Sequence, residues 1–421
     1  MYRAVILGIC LVVLTATSGF AQTTIEWWQF WTDPEIKPTI QAMVRDFEKQ
    51  NPDIKVKLTD LTWANGHEKL AIAFASGSAP DVVELGSDWI AQFAANGKLA
   101  DLSAHVTPDS NAYDGWSLST YEGKVYARPW ILGTRVLYIN LDLLNKAGFG
   151  DDAIPVSTAD LMYLAKEISN LGRNTYGWGS NTAEKHRLYK KFLPFLWSYN
   201  GQILTDDNKS CVLASDRAVK ALGFYKKLHD SCGYVADQRG IEDAFLAGKI
   251  GFIMSGDWLL KRIRHEKRKI RFATSLVPGH DPFSDEAGIP AMYGKVDPYP
   301  GRSFLGGEFL AANAGSSHQE AATKLIDFIC NPANQLRFCK ANFSANPSSR
   351  EAQEDAFFQA DPHLATFVRQ MKLTKHPPVV PDWVYIEDEL ENAVEKVVFD
   401  NALPGETLYE TQKKINQQLA H

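Results

Sequence analysis

The sequence predicts an α/β protein of mainly parallel sheets flanked by helices, and three observations carry that prediction. Strand-like runs and helical patterns follow one another at close spacing, as in Ile54–Leu58, then His67–Phe74, then Ala79–Leu85. The 421 residues are 45% hydrophobic and 22% charged, which is ordinary globular material for two or three domains. The run Ile250–Met254 is long enough for a buried strand and too short for a helix, and Ser255, Gly256 and Asp257 follow it as a turn and a helix N-cap. Trp258 therefore stands just beyond the carboxyl end of a strand, where open α/β sheets bind ligands.

The chain opens on Met-Tyr-Arg and an apolar run, Ala4 to Leu14, followed by small residues at Gly19 and Ala21. Residues 1–21 have the pattern of a secretory signal peptide cut between Ala21 and Gln22. The run is too short to span about 30 Å of hydrocarbon. The address expected for the mature chain is the periplasm. Four cysteines remain there, in an oxidising compartment: Cys211, Cys232, Cys330 and Cys339. Three pairings are open to them, local closure favouring Cys211 with Cys232 and Cys330 with Cys339, and four buried free thiols are the alternative. No C-x-x-C spacing or neighbouring His pair makes them metal ligands. A net charge of -6 gives no case for a nucleic-acid partner.

After the signal, Thr24 to Trp31 is an aromatic strand, and Ile36, Ile40, Met43, Val44 and Phe47 share one face of a helix. Gly123 to Trp130 leads into Thr134–Asn140, a strand whose last residue caps a helix that stops at Gly148. Helical patterns cover Ala159–Leu171, Leu188–Tyr199 and Ala214–His229. The run from Lys261 to Arg271 holds seven cations in eleven residues and reads as a solvated helix. Pro278–Arg302 is rich in Gly, Pro and Asp, a long surface loop. A strand broken by Gly306-Gly307, a helix over Gln319–Cys330 and two tail helices, Trp383–Asp400 and Glu406–Leu419, complete the chain.

Several of these segments resemble the extracellular solute-binding proteins of carbohydrate ABC importers, the family that includes the maltodextrin-binding protein. The likeness is carried by the aromatic first strand, F-E-K-Q-N-P at Phe47–Pro52, A-S-G-S-A-P-D-V-V-E-L at Ala75–Leu85, Thr134–Asn140 and the turn before Trp258. The resemblance implies a two-lobed periplasmic-binding-protein fold with three interlobe crossovers. The first lobe would comprise 22–131 and 308–344, the second 134–305 and 346–421. It also implies a ligand set: Trp31, Thr32 and Asp33 after the first strand, Asp88 after the third, Arg135 and Lys190, Asp257 with the stacking Trp258, Gly306, Gly307 and Glu308 at a crossover, and Trp383 near the cleft. The partners so implied are a carbohydrate and the permease subunits of an importer. The protein would act as a monomer, and no cofactor is expected.

The chain lacks a G-x-S-x-G elbow, an H-E-x-x-H zinc motif, a P-loop and a dinucleotide fingerprint. Its carboxylates keep a secreted glycoside hydrolase as the rival, since that chemistry needs only two carboxyl groups flanking one bond. Arg135, Arg187 and Lys190 leave room for a phosphorylated polyol as the alternative ligand. Binding without catalysis is the expectation.

Overall fold

A computed structural model describes residues 22–106, 111–182, 184, 187–267, 269–281, 301–344 and 346–420. Residues 1–21, the expected signal peptide, and most of the Pro278–Arg302 loop lie outside the described residues. The rest forms two five-stranded sheets, each covered by helices on both faces.

The first sheet has the order Ile54–Asp60, Thr23–Gln29, Val82–Gly86, Gly306–Ala312, Arg128–Gly133. Only Gly306–Ala312 runs against its neighbours. The second has the order Phe272–Ser275, Val136–Asn140, Ile250–Ser255, Tyr176–Asn181, Gly233–Ala236, and there Val136–Asn140 is the reversed strand. The sheets are thus mainly parallel, as the alternation of strands and helices implies. Each reversed strand is the one by which the chain arrives from the other half: Gly133 leads to Val136, and Phe304 leads back to Gly306.

Side-chain alternation explains why helices cover both faces. Val82, Leu310 and Ala312 face one core of the first sheet, and Val83, Leu85, Phe309 and Ala311 face the other. In the second sheet Leu137, Ile139, Phe252 and Met254 point into one core, while Val136, Tyr138 and Ile253 point into its opposite. A strand buried on both sides reads as a continuous apolar run, which is why Ile250–Met254 is visible in sequence.

The third crossing falls later than the expected 344–346. Pro347 bridges Ile131, Ser349 bridges Tyr113, and Phe358 is buried in the first sheet's core. The chain joins the second half at the helix Pro362–Met371, through Leu364 and Phe367. Polar anchoring moves the boundary: Ser348 Oγ donates to the Pro129 carbonyl at 2.7 Å, and Gln335 Oε1 accepts from the Ser349 N–H at 2.9 Å.

The two local disulfides are also corrected. Cys211, Cys232, Cys330 and Cys339 are all free, buried thiols. Each is packed as a small hydrophobe in an apolar core, the first two in the second half and the last two in the first. Burial pushes the Cys211 thiol up to about 11 and raises the other three, which keeps them protonated and unreactive. Thiol titration of the chain from Gln22 onward, unfolded without reductant, should therefore count four thiols; two disulfides would leave none.

Candidate functional site

The two sheets turn functional edges toward one another. In the first, the parallel strands end at Phe30–Asp33, Leu61–Trp63 and Ser87–Asp88, and the reversed strand brings Glu308 to the same edge. In the second, Ile250–Ser255 ends at Gly256–Trp258, and the reversed strand begins beside Arg135. Side chains bridge the gap. Asp88 Oδ2 accepts from Lys190 Nζ at 2.9 Å and from the Tyr189 hydroxyl at 3.3 Å, and Lys261 Nζ donates to Asp33 Oδ2 at 3.1 Å.

Trp258 occupies the first turn of the helix Trp258–His265 and is half-buried. Its indole Nε1 donates to Glu242 Oε1 at 2.7 Å, and its ring lies so close to Gly256 that a Cβ there would stand 1.9 Å from Cζ3. Glu242 is 2% exposed and gathers further donors: Gln238 Nε2 at 2.7 Å, Ser255 Oγ at 2.9 Å and Arg262 Nη1 at 2.7 Å. With its polar edge satisfied inside the protein, the indole is fixed in orientation. Asp257 occupies the cap position, yet its side chain makes no capping bond; its charge is felt by Glu308 across the cleft.

Arg135 lies between the halves, its guanidinium 5.3 Å from the Trp258 ring centre and 5.0 Å from that of Phe304. Its Nε is buried without a hydrogen-bond partner among the described residues. Desolvation lowers its pKa to about 10, helped by the charge of Arg187 and opposed by Tyr189, Asp88 and Glu308. Burial raises Glu308 to about 8, and the charge of Asp257 adds to the rise. An acid that binds its proton more tightly when folded makes stability fall as pH rises from its ordinary value near 4.5 toward about 8, with no further change above that. Glu308→Gln should flatten that fall in urea unfolding across the window. Some slope should persist, because Glu84 beneath it is raised in the same direction, mainly by burial.

Asp88, Arg135, Lys190, Asp257, Trp258 and Glu308 are thus brought to one place. Thr32 and Asp33 are exposed at the neighbouring strand end. Trp31 is half-buried and packs edge-on against Phe338 and Trp130, with centroids 4.7 and 6.2 Å away, so it serves the first core. Trp383 is corrected: it is 1% exposed and lies under Tyr189, centroids 5.9 Å apart, supporting the ring whose hydroxyl reaches Asp88. Gly307 has a different reason from the expected one. A Cβ on Gly307 would stand 2.5 Å from the Ile131 carbonyl oxygen, so the close approach is to the neighbouring strand rather than to a ligand. The basic run is not simply solvated either, since Arg262 pairs with Glu242, Asp243 and Glu266, Arg264 with Asp361, and Lys261 with Asp33.

Sequence reasoning missed Glu242, Tyr189 as a partner of Asp88, and Trp63. Only Glu242 left a signal: it lies sixteen residues before Trp258, on the helix that precedes the site's strand. A cavity of about 610 Å³ opens between Thr120–Glu122 and Gln202–Asn208, with Lys375–Val380 along one wall; none of the expected ligand residues lines it, but Pro377–Val380 also wall a small pocket lined by Ser87 and Asp88. Among the described residues no group of three or more His, Cys, Asp or Glu side chains is placed to hold a metal ion, and no helix is long and apolar enough to cross a membrane.

Comparison with known families decides what this arrangement belongs to. The family model for bacterial extracellular solute-binding proteins matches residues 42–366. The chain belongs to that family. Among relatives of this solute-binding protein, a putative binding protein of Brucella abortus is 23% identical, over 97% of this chain and 95% of the relative. The maltodextrin-binding protein MdxE of Bacillus subtilis is 25% identical, over 87% of this chain and 82% of its own length. The solved GacH receptor of Streptomyces glaucescens, determined unliganded and with acarbose, superposes with a TM-score of 0.80 at 22% identity, covering 95% of this chain and 99% of that one. This likeness supports the two-lobe architecture.

Proposed function

We propose that this solute-binding protein captures a sugar or oligosaccharide between its halves, outside the cytoplasm, and delivers it as a monomer to the membrane permease of an ABC importer without chemical change. The observation that carries the reading is the oriented Trp258 ring beside Arg135, together with Glu308 and with Asp257 and Asp88, which are close enough for their charges to act on Glu308, drawn from both halves. A sugar presents an apolar C–H face and a rim of hydroxyls. An aromatic ring buries the first, and carboxylates accept from the second in bonds strengthened by charge. The sugar-binding names of the relatives agree with this, and a two-lobed protein that closes on such a ligand presents its permease with a distinct state.

One observation favours a second reading. Glu308, whose carboxyl burial pushes up to about 8, stands near Asp257 and Asp88, a set of acidic side chains of the kind glycoside hydrolysis uses. The first test is a thermal-shift screen over mono- and oligosaccharides. A bound ligand stabilises by about 2.7 kcal/mol at a hundredfold excess over Kd. A screen without any shift at millimolar sugar contradicts sugar capture.

A further inference from the structure

Trp63 follows the strand Ile54–Asp60 at the same edge of the first sheet, and it is 39% exposed in a protein that buries Trp27, Trp130, Trp178 and Trp383 almost completely. Its ring is nevertheless held firmly. It stacks on Phe30 with centroids 4.2 Å apart and planes 17° from parallel, and Trp89 stands 5.6 Å to its side. Phe30 is 5% exposed and is itself backed by Gly66, where a Cβ would come within 2.2 Å of Phe30 Cε1. Thr62 Oγ1 donates to Asn65 Oδ1 at 2.8 Å and pins the turn that carries the ring. The result is a flat aromatic surface, supported from behind by packed rings and accessible to solvent.

The neighbouring chemistry suits a sugar. A Cβ built on Gly86 would lie 3.0 Å from Asp88 Oδ1 and 3.5 Å from Trp63 Cζ3, so an aromatic ring and a carboxylate stand side by side. Asp88 also meets Lys190 and Tyr189 from the other half, which places Trp63 beside the cleft rather than on a remote surface. Trp258, by contrast, belongs to the second half and lies next to Arg135. Arg135 leaves the first sheet from the strand Arg128–Gly133, two strands along from Val82–Gly86, which is about 10 Å at the usual strand spacing. Two aromatic faces at different strand ends suit a ligand with more than one C–H face, such as a chain of sugar rings.

We propose that Trp63 is a second stacking platform and that the captured solute is an oligosaccharide lying from Trp63, past Asp88, to Arg135 and Trp258. This rests on the sugar-capture reading above. The test is calorimetric titration of the native protein, Trp63→Ala and Trp63→Leu with glucose, N-acetylglucosamine, galactose, maltotriose, cellotriose and chitotriose. Leucine keeps apolar contact with Phe30 while removing the flat face, so its thermal midpoint should stay close to native. At least one trisaccharide should bind the native protein tenfold or more tightly than any of the monosaccharides, and both variants should weaken that trisaccharide about tenfold or more. An unchanged trisaccharide Kd in the well-folded Leu variant overturns the platform and leaves sugar capture standing. A monosaccharide that binds as tightly as every trisaccharide overturns the oligosaccharide assignment. Saturable binding by none of the six overturns the capture reading together with the platform.

Discussion

Glu242→Ala should lower folding stability by about 3 kcal/mol, a large effect for a residue that no sequence motif marks. The substitution leaves Gln238 Nε2, Ser255 Oγ and Trp258 Nε1 without the carboxylate that accepts from all three, and Gln238 and Ser255 are buried. Arg262 is not orphaned, because Asp243 and Glu266 still pair with it, and this holds the loss to the lower part of the range for a broken buried ion pair. Glu242→Gln, which keeps the shape and one acceptor, should lose less. Denaturant unfolding of both variants is the check. A loss below about 1 kcal/mol in the Ala variant would mean that the network does not hold the Trp258 turn.

The second large effect is on binding. Trp258→Ala should weaken a bound sugar by about 2.5 kcal/mol, close to a hundredfold in Kd, if stacking hides about 100 Å² of apolar surface at roughly 25 cal/mol per Å². A tryptophan that is only core makes a different demand: its loss opens a cavity and costs stability while the folded fraction keeps its affinity. The structure argues for the platform, since the ring is half-buried and its N–H is already satisfied by Glu242. Calorimetric Kd and unfolding free energy measured on the same variant separate the two. Lost stability with unchanged Kd would contradict the platform. Asp88→Asn should cost less affinity than Trp258→Ala, because Lys190 and Tyr189 keep a hydrogen-bonding partner there.

What was legible in the sequence follows from locality. The turn after Ile250–Met254 announces itself because a strand buried on both faces, small turn residues and a new helix are consecutive, and Asp88 and Arg135 likewise sit at the ends of clearly patterned strands. Contacts formed by closing the two halves were not legible. Asp88 and Lys190 are 102 residues apart, and Asp33 and Lys261 are 228 apart. Nothing in the spacing of a basic run tells whether its cations meet solvent or distant carboxylates. Trp383 was misplaced because an aromatic just after a Pro-Asp pair reads alike whether it faces a cleft or lies one layer beneath it. The cysteines were misread because exported chains favour disulfides as a class, whereas each of these sulfurs is enclosed by its own apolar neighbours. Trp63 was passed over because a lone aromatic in a turn gives no periodic signal; its stack on Phe30 exists only once two strand ends lie side by side.

The central claim is capture without conversion in the cleft between the halves. Equilibrium dialysis of the purified protein against the sugar that gives the largest thermal shift, followed by chromatography of everything recovered, tests it most directly. The account predicts saturation at one sugar per chain and recovery of that sugar chemically unchanged after prolonged incubation. Cleaved product accumulating beyond one equivalent of protein would contradict it in favour of hydrolysis at Glu308, and the absence of saturable binding would contradict it outright.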